Sequence, residues 1–243
     1  MIKRELKKFN TPQLLAEQIT NELLTSIENK NGDNFYLAVS GGSTPKILFR
    51  LLASPEFAER ILWDKLHIFW SDERCVPPDD SESNYGMTKN LLLDKVKIDK
   101  NNVHRIIGES EPKEEAKKYA EITNSIVKDK KNNLPQFDWI LLGMGSDGHT
   151  ASLFPNQKLE FVSGNLFGVA THPTSGQKRI SMTDELINNS SRITFLVTGG
   201  EKAKTLKEIF SDNNAINKYP ASRVHSINGI SEWYVDEAAA ELL

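Results

Sequence analysis

The chain has 243 residues, 30 Lys+Arg against 33 Asp+Glu for a formal charge of -3, 38% hydrophobic residues and a single cysteine. That is enough apolar sequence for one large domain with a buried core, and too much for a disordered chain. The near-neutral balance gives no general electrostatic grip on nucleic acid or on anionic lipid, and Cys75 has no mate for a disulfide or a cysteine zinc site, so neither partner and no metal is expected.

The amino-terminal stretch Met1 to Gln18 interrupts its apolar residues with Lys3, Arg4, Glu5, Lys7 and Lys8, so it lacks the apolar core of an export signal. The longest apolar runs, around Trp139 to Leu142 and Phe195 to Val197, fall far short of the roughly 20 residues a membrane helix needs. A cytoplasmic setting with reduced thiols is the expectation.

In chain order, the pattern predicts a helix over Thr11 to Ile27, a strand at Phe35 to Val39, a helix at Pro45 to Leu52 and a strand at Leu66 to Trp70. A helix over Asn84 to Leu93 follows, then an amphipathic one from Pro112 to Lys130 with Ala116, Tyr119, Ala120, Thr123, Ile126 and Val127 on one stripe. Lys130 to Pro135 reads as a surface loop, Phe137 to Leu142 and Phe167 to Ala170 as strands, and Thr183 to Asn188 as a helix. A strand at Arg192 to Thr198, a helix at Glu201 to Phe210 and a strand at Trp233 to Val235 complete the series. Strands alternating with helices predict an α/β fold with a mostly parallel sheet. No repeat and no Pro/Gly/Ser-rich linker divides the chain, which predicts one domain over residues 1–243.

Polar or glycine-rich segments begin where predicted strands end: Ser40-Gly41-Gly42-Ser43-Thr44, Ser71-Asp72-Glu73-Arg74, Gly143 to His149, and Gly199-Gly200-Glu201-Lys202. In an open α/β sheet, ligands bind outside the carboxyl ends of the strands, so these loops are expected to converge on one pocket. The first segment, with Pro45 opening a helix, suits either a phosphate held on free N–H groups or a tight turn with a Ser/Thr cap; it lacks the Gly-Lys-Ser/Thr ending of a Walker loop. Asp72, Glu73 and Arg74 read either as a surface ion-pair cluster or as a place where Arg74 binds an anion through its planar fork.

Gly143-Met144-Gly145-Ser146-Asp147-Gly148 spells G-x-G-x-x-G, yet Pro155 comes too soon for the long helix of a dinucleotide site and no organic cofactor is expected. The loop offers instead His149, an imidazole suited to take a proton from water near neutral pH, with Asp147 two residues before it to orient the ring. His67, His104, His172 and His225 are expected to be structural. Lys202, and Arg179 before Ile180-Ser181-Met182-Thr183, are candidate cations to complete an anion site, and Cys75 is expected to be buried as a small apolar residue rather than a reactive thiol.

Together these segments resemble the 6-phosphogluconolactonases, in the superfamily that also holds glucosamine-6-phosphate deaminase. The residues that carry the resemblance are Ser40-Gly-Gly-Ser-Thr-Pro45, Trp70-Ser-Asp-Glu-Arg74 with Val76-Pro77 and Ser83-Asn84-Tyr85, Leu142 through Gly-Met-Gly-Ser-Asp-Gly-His-Thr-Ala-Ser-Leu-Phe to Pro155, Arg179 to Thr183, and Gly199 to Ala203. Ser181-Met182 departs from that family's usual Thr-Leu.

The resemblance implies a three-layer, Rossmann-like α/β domain, its mostly parallel sheet flanked by helices. It also implies hydrolysis of 6-phospho-glucono-1,5-lactone to 6-phosphogluconate in the pentose phosphate pathway, without metal or cofactor. By position, His149 would be the general base, Asp147 its orienter, and Gly41, Gly42, Ser43, Thr44 and Asp72 part of the substrate site. Arg74, Arg179 and Lys202 would supply positive charge to the phosphate and to the oxygen that becomes negative. The alternatives are the deaminase, whose branch follows its histidine with an acid where this chain has Ser152-Leu153-Phe154-Pro155, and a non-catalytic sugar-phosphate sensor. Oligomeric state is not legible.

Overall fold

The computed structural model describes residues 4–30, 34–161, 166–212 and 214–243. Its strands, in chain order, are β1 Glu5–Phe9, β2 Phe35–Val39, β3 Leu66–Trp70, β4 Asp72–Arg74, β5 Val103–His104, β6 Lys130–Lys131, β7 Leu134–Pro135, β8 Trp139–Gly143, β9 Glu160–Phe161, β10 Phe167–Thr171, β11 Lys178–Met182, β12 Arg192–Val197 and β13 Ile230–Asp236.

Among the described residues, seven strands form one sheet in the order β1-β13-β12-β8-β2-β3-β5, and every pairing in it is parallel. Helices flank it. β2 and most of β3, β8 and β12 are buried along their length, which is why they read as unbroken apolar runs rather than alternating ones. From β2 the chain moves outward to β3 and β5; from β8 it moves the other way to β12 and β13. The β2/β8 boundary is therefore the switch point of the sheet, where a crevice opens at the strand ends.

The flanking helices follow the expected stripes. Pro12–Asn29 starts at the Thr11 cap, whose Oγ1 accepts the Leu14 N–H, and buries Leu15, Ile19, Leu23 and Ile27, one per turn. Pro112–Ile126 ends four residues before the predicted Lys130, since Val127 turns to extended backbone and is buried. Lys130 to Pro135 closes as a small hairpin, β6 and β7, around Asn132 and Asn133 at φ 52° and 62°, the left-handed pair a two-residue turn of this hand requires.

A four-stranded antiparallel sheet, β4-β11-β10-β9, is the main departure from the expected layout. Phe167 to Ala170 is a strand as predicted but belongs here; Asp72–Arg74, read as a strand-end segment, and Lys178–Met182, to which no element was assigned, are strands too. Ser71 is the junction: its N–H bonds Val39 O in the main sheet at 2.9 Å, and its carbonyl accepts the Met182 N–H of the second at 2.7 Å. Tyr119, on Pro112–Ile126, ties the sheets together, accepting the Trp70 N–H, donating to His104 O and setting its ring edge-on to Phe167. The second sheet thus stands over the carboxyl ends of the first.

At β1 and β12, Lys7, Glu22, Arg192, Glu232 and Tyr234 form a partly buried network of ion pairs and hydrogen bonds, with the Arg192 guanidinium 3.8 Å over the Trp139 ring. It pins the half-polar edge strand β1, which periodicity does not reveal.

Candidate active site

The loops after β2, β3, β8 and β12 meet in one cleft of ≈ 220 Å³, together with residues of β4 and β11. Gly41, Gly42, Ser43, Thr44, Asp72, Arg74, His149, Arg179 and Lys202, all singled out in the sequence, line it. Asp147 does not line it but stands behind His149.

The helix on the first loop begins at Ser43, two residues before the expected Pro45, and runs to Leu52. Gly42 takes φ 120° to turn the strand into that helix, and no side chain caps its start. The first turn, whose residues line the cleft, thus has uncapped N–H groups and no acidic residue of its own, an arrangement that attracts an anion, although Asp72 and Glu201 also line the cleft. The Thr44 hydroxyl is held by that of Thr198 at 2.7 Å, which brings the loop after β12, with Lys202, beside this helix start.

Glu73 proves to be neither a surface group nor part of an ion pair. Only 2% exposed, it accepts the N–H groups of Arg74, Asn84 and Tyr85 and the Ser83 hydroxyl, organising the turn that starts the helix Asn84–Leu91. Burial raises its pKa against those hydrogen bonds. Asp72, also buried, accepts the Ser152 hydroxyl at 2.7 Å. Arg74 and Arg179 are directly paired across β4 and β11, so two guanidinium groups sit side by side with no carboxylate bridging either among the described residues. Burial, then the charge of Arg74, lowers the basicity of Arg179. A bound anion relieves such a pair. Among the described residues, Lys202 reaches only Glu201, at 3.6 Å. Beside Arg74, burial pushes the Cys75 thiol up to about 11, which leaves it unreactive near neutral pH.

The G-x-G-x-x-G letters serve a different end from a dinucleotide loop. Gly145 N–H bonds His149 O and Gly148 N–H bonds Gly145 O, closing a tight turn. At Gly145 a Cβ would lie 2.2 Å from His149 Nδ1, and Gly148, at φ 79°, packs on the Tyr219 ring. The turn delivers His149 Nδ1 to Asp147 Oδ1 at 2.6 Å. A carboxylate only accepts, so Nδ1 carries the proton and Nε2 is the free basic atom. Burial alone would raise Asp147, but the bond from His149 outweighs it and holds the carboxyl at about 2. Such a dyad can take a proton from water at Nε2 while the carboxylate stabilises the resulting cation.

Sequence reasoning passed over Asn84, Thr198 and Ser152. Asn84 and Thr198 line the cleft, and Ser152 holds Asp72. Asn84 was visible only as part of a motif and Thr198 only as a strand end; the contact of Ser152 with Asp72 spans 80 positions and leaves no local signal. Among the described residues no cluster of His, Cys, Asp and Glu is arranged to hold a metal ion, and no helix is long and apolar enough to cross a membrane.

A family model described as glucosamine-6-phosphate isomerases/6-phosphogluconolactonase matches residues 10–233. The chain belongs to that family. It is 47% identical over 235 residues to a 6-phosphogluconolactonase of Haemophilus influenzae, covering 97% of this chain and 98% of that one. A crystal structure of devB protein superposes with a TM-score of 0.93 at 43% identity, covering 98% of this chain and 99% of that chain. A 6-phosphogluconolactonase from Trypanosoma cruzi superposes at 0.85 with 28% identity, covering 100% and 97%. A monomeric glucosamine-6-phosphate deaminase, 19% identical with a TM-score of 0.81 and covering 98% and 100%, shares the fold.

Proposed function

We propose that this chain is a 6-phosphogluconolactonase, hydrolysing 6-phospho-glucono-1,5-lactone to 6-phosphogluconate in the pentose phosphate pathway, with His149 as general base. The observation that carries the reading is the Asp147–His149 pair, with Nε2 free, at a cleft that is also lined by an uncapped helix start and by Arg74, Arg179 and Lys202.

The phosphate rests on the N–H groups of Ser43 and Thr44 with Lys202 beside them. Arg74 and Arg179 lie toward His149, since the Arg179 guanidinium is 5.6 Å from the Phe154 ring, which is itself 5.1 Å from that of His149. Their N–H groups are available to the carbonyl oxygen as it gains charge. His149 Nε2 takes a proton from water as its oxygen attacks C1, and Asp147 stabilises the imidazolium. The tetrahedral intermediate collapses with loss of the ring C–O bond. The proton on Nε2 passes to the leaving ring oxygen, giving the open-chain acid. General-base help of this kind is worth about two to four powers of ten, or roughly 3–5 kcal/mol, which suffices for an already reactive lactone.

The test is initial-rate hydrolysis of freshly generated lactone by the wild type and His149→Ala, corrected for spontaneous opening, beside an ammonia-release assay on glucosamine 6-phosphate. Hydrolysis by the wild type that is lost in a folded mutant is the expected result. Ammonia release without lactonase activity would assign the deaminase reaction instead, and inactivity in both assays would leave a binding role.

A further inference from the structure

Thr198 follows β12 and lines the cleft together with Thr44. Their hydroxyl oxygens are 2.7 Å apart, although 154 positions separate the two residues in the chain. Among the described residues neither hydroxyl has another hydrogen-bond partner. Two hydroxyls carry two hydrogens, and one contact between their oxygens uses only one of them. One O–H donor of the pair is therefore left over in residues that line the cleft, and no described carbonyl or carboxylate takes it up.

The backbone on either side holds Thr198 in place. Val197 before it ends β12 and is buried. Gly199 after it, at φ 96°, donates its N–H to both carboxylate oxygens of Asp236, at 3.0 and 3.2 Å. Asp236 is buried and also accepts the Ala239 N–H at 2.8 Å. Gly199 O in turn accepts the Lys202 N–H at 3.1 Å, so Thr198 and Lys202 belong to one anchored turn. Thr44 is fixed as well, buried in the first turn of the helix Ser43–Leu52 and followed by Pro45. Each hydroxyl thus stands on a rigid element, and little further ordering is needed to use the pair when a ligand arrives.

We propose that Thr198 is a positioning residue for the substrate's phosphate: its Oγ1–H donates to Thr44 Oγ1 and so turns the Thr44 Oγ1–H onto a phosphate oxygen. This rests on the phosphate placement in the lactonase reading. A phosphate on the N–H groups of Ser43 and Thr44 presents acceptor oxygens, and its charge orders the two hydrogens: Thr44 gives its own to the anion and takes that of Thr198. The opposite order would turn the Thr44 lone pairs toward an anion seated on its own N–H. Hydrogen bonds in such a chain polarise one another, so the donor that touches the phosphate is strengthened by the one behind it.

The experiment measures kcat and KM for 6-phosphogluconolactone and for unphosphorylated glucono-1,5-lactone, calorimetric binding of 6-phosphogluconate, and melting temperature. The variants are Thr198→Val, Thr198→Ala, Thr198→Ser, Thr44→Val and the Thr44→Val/Thr198→Val double. Thr198→Val keeps the shape and removes the hydroxyl, so KM for the phosphorylated lactone and Kd for 6-phosphogluconate rise about three- to tenfold while kcat changes little. The preference for the phosphorylated lactone in kcat/KM falls by the same factor, which a merely structural loss would not produce. Thr198→Ser restores the wild-type values. In the Thr44→Val background, removing the Thr198 hydroxyl changes KM and Kd by less than about twofold, because the group it acts through is gone. Should Thr198→Val melt below the assay temperature, the Ala and Ser pair decides. Unchanged KM and Kd in the Val and Ala variants, or costs that add in the double variant, overturn the inference alone. A wild type that binds 6-phosphogluconate and hydrolyses neither lactone overturns the reaction assigned above, and the calorimetric arm then decides Thr198; a wild type that does not bind it overturns both.

Discussion

Gly148→Ala probes whether the turn that carries His149 is as closely held as its contacts indicate. Gly148 sits at φ 79°, a left-handed backbone that costs an L-residue about 1–2 kcal/mol. A methyl there would stand 2.3, 2.8 and 2.9 Å from Cδ1, Cγ and Cβ of Tyr219. That ring is buried and its hydroxyl is bonded to Glu208 Oε2 at 2.6 Å, so it moves only by giving up that bond. Overpacking of this kind costs about 1–3 kcal/mol. The sum, about 2–5 kcal/mol, is a large part of an ordinary domain's stability. At about 2–4 °C per kcal/mol for a chain of this size, melting falls by about 4–20 °C.

Scanning calorimetry on a double-mutant cycle separates the two parts. Tyr219→Ala removes the two ring atoms that the methyl strikes hardest and leaves only the 2.9 Å approach to Cβ, so Gly148→Ala in that background loses the backbone part and little of the overpacking, and the coupling is about 1–3 kcal/mol. Losses that add to within about 0.5 kcal/mol, or a single-mutant shift below about 2 °C, would refute the reasoning.

Asp147→Asn should lower kcat by about two to four powers of ten with little change in KM, because the amide no longer fixes the His149 tautomer; equal rates in initial-velocity assays would remove Asp147 from the mechanism. The carboxyl is held at about 2, below its usual 3.8, so its contribution to stability is complete above about pH 4 and disappears as pH falls toward 2. Its side chain is 45% exposed, which keeps that contribution below about 1 kcal/mol, and the melting difference between wild type and Asp147→Asn should close over that window. Glu73→Ala strands the amides of Asn84 and Tyr85 and should cost about 3 kcal/mol or more in urea unfolding; a loss under about 1 kcal/mol would make those bonds unimportant. Lys202→Met should raise KM for the lactone at least about tenfold at unchanged melting temperature, and an unaltered KM would move the phosphate away from that loop.

The central strands β2 and β3 have the very limits read from the sequence, because strands covered on both faces in a parallel sheet must be apolar throughout. The stripe on Pro112–Ile126 is equally plain. Strand β1 escaped because, at the sheet edge, its Lys7 and Lys8 meet solvent and acidic partners rather than a core. Strand β4 escaped because it has three residues and carries Asp72 and Arg74, whose polarity marked it as a strand-end segment; β11 escaped because Lys178, Arg179 and Ser181 break its apolar run.

What the sequence determined by itself was local: which runs must be buried, which glycines permit sharp turns, and that His149 has Asp147 two residues away to orient it. From those alone the α/β class and the convergence of the strand-end loops followed. Only the tertiary structure decided that Arg74 and Arg179 lie side by side across two strands 105 positions apart in the chain, that Glu73 is buried while its neighbours face the cleft, and that Lys202 comes beside Ser43 through the Thr44–Thr198 contact. Those placements depend on sheet register and on the switch point between β2 and β8, and register is set by long-range pairing that no local window of residues contains.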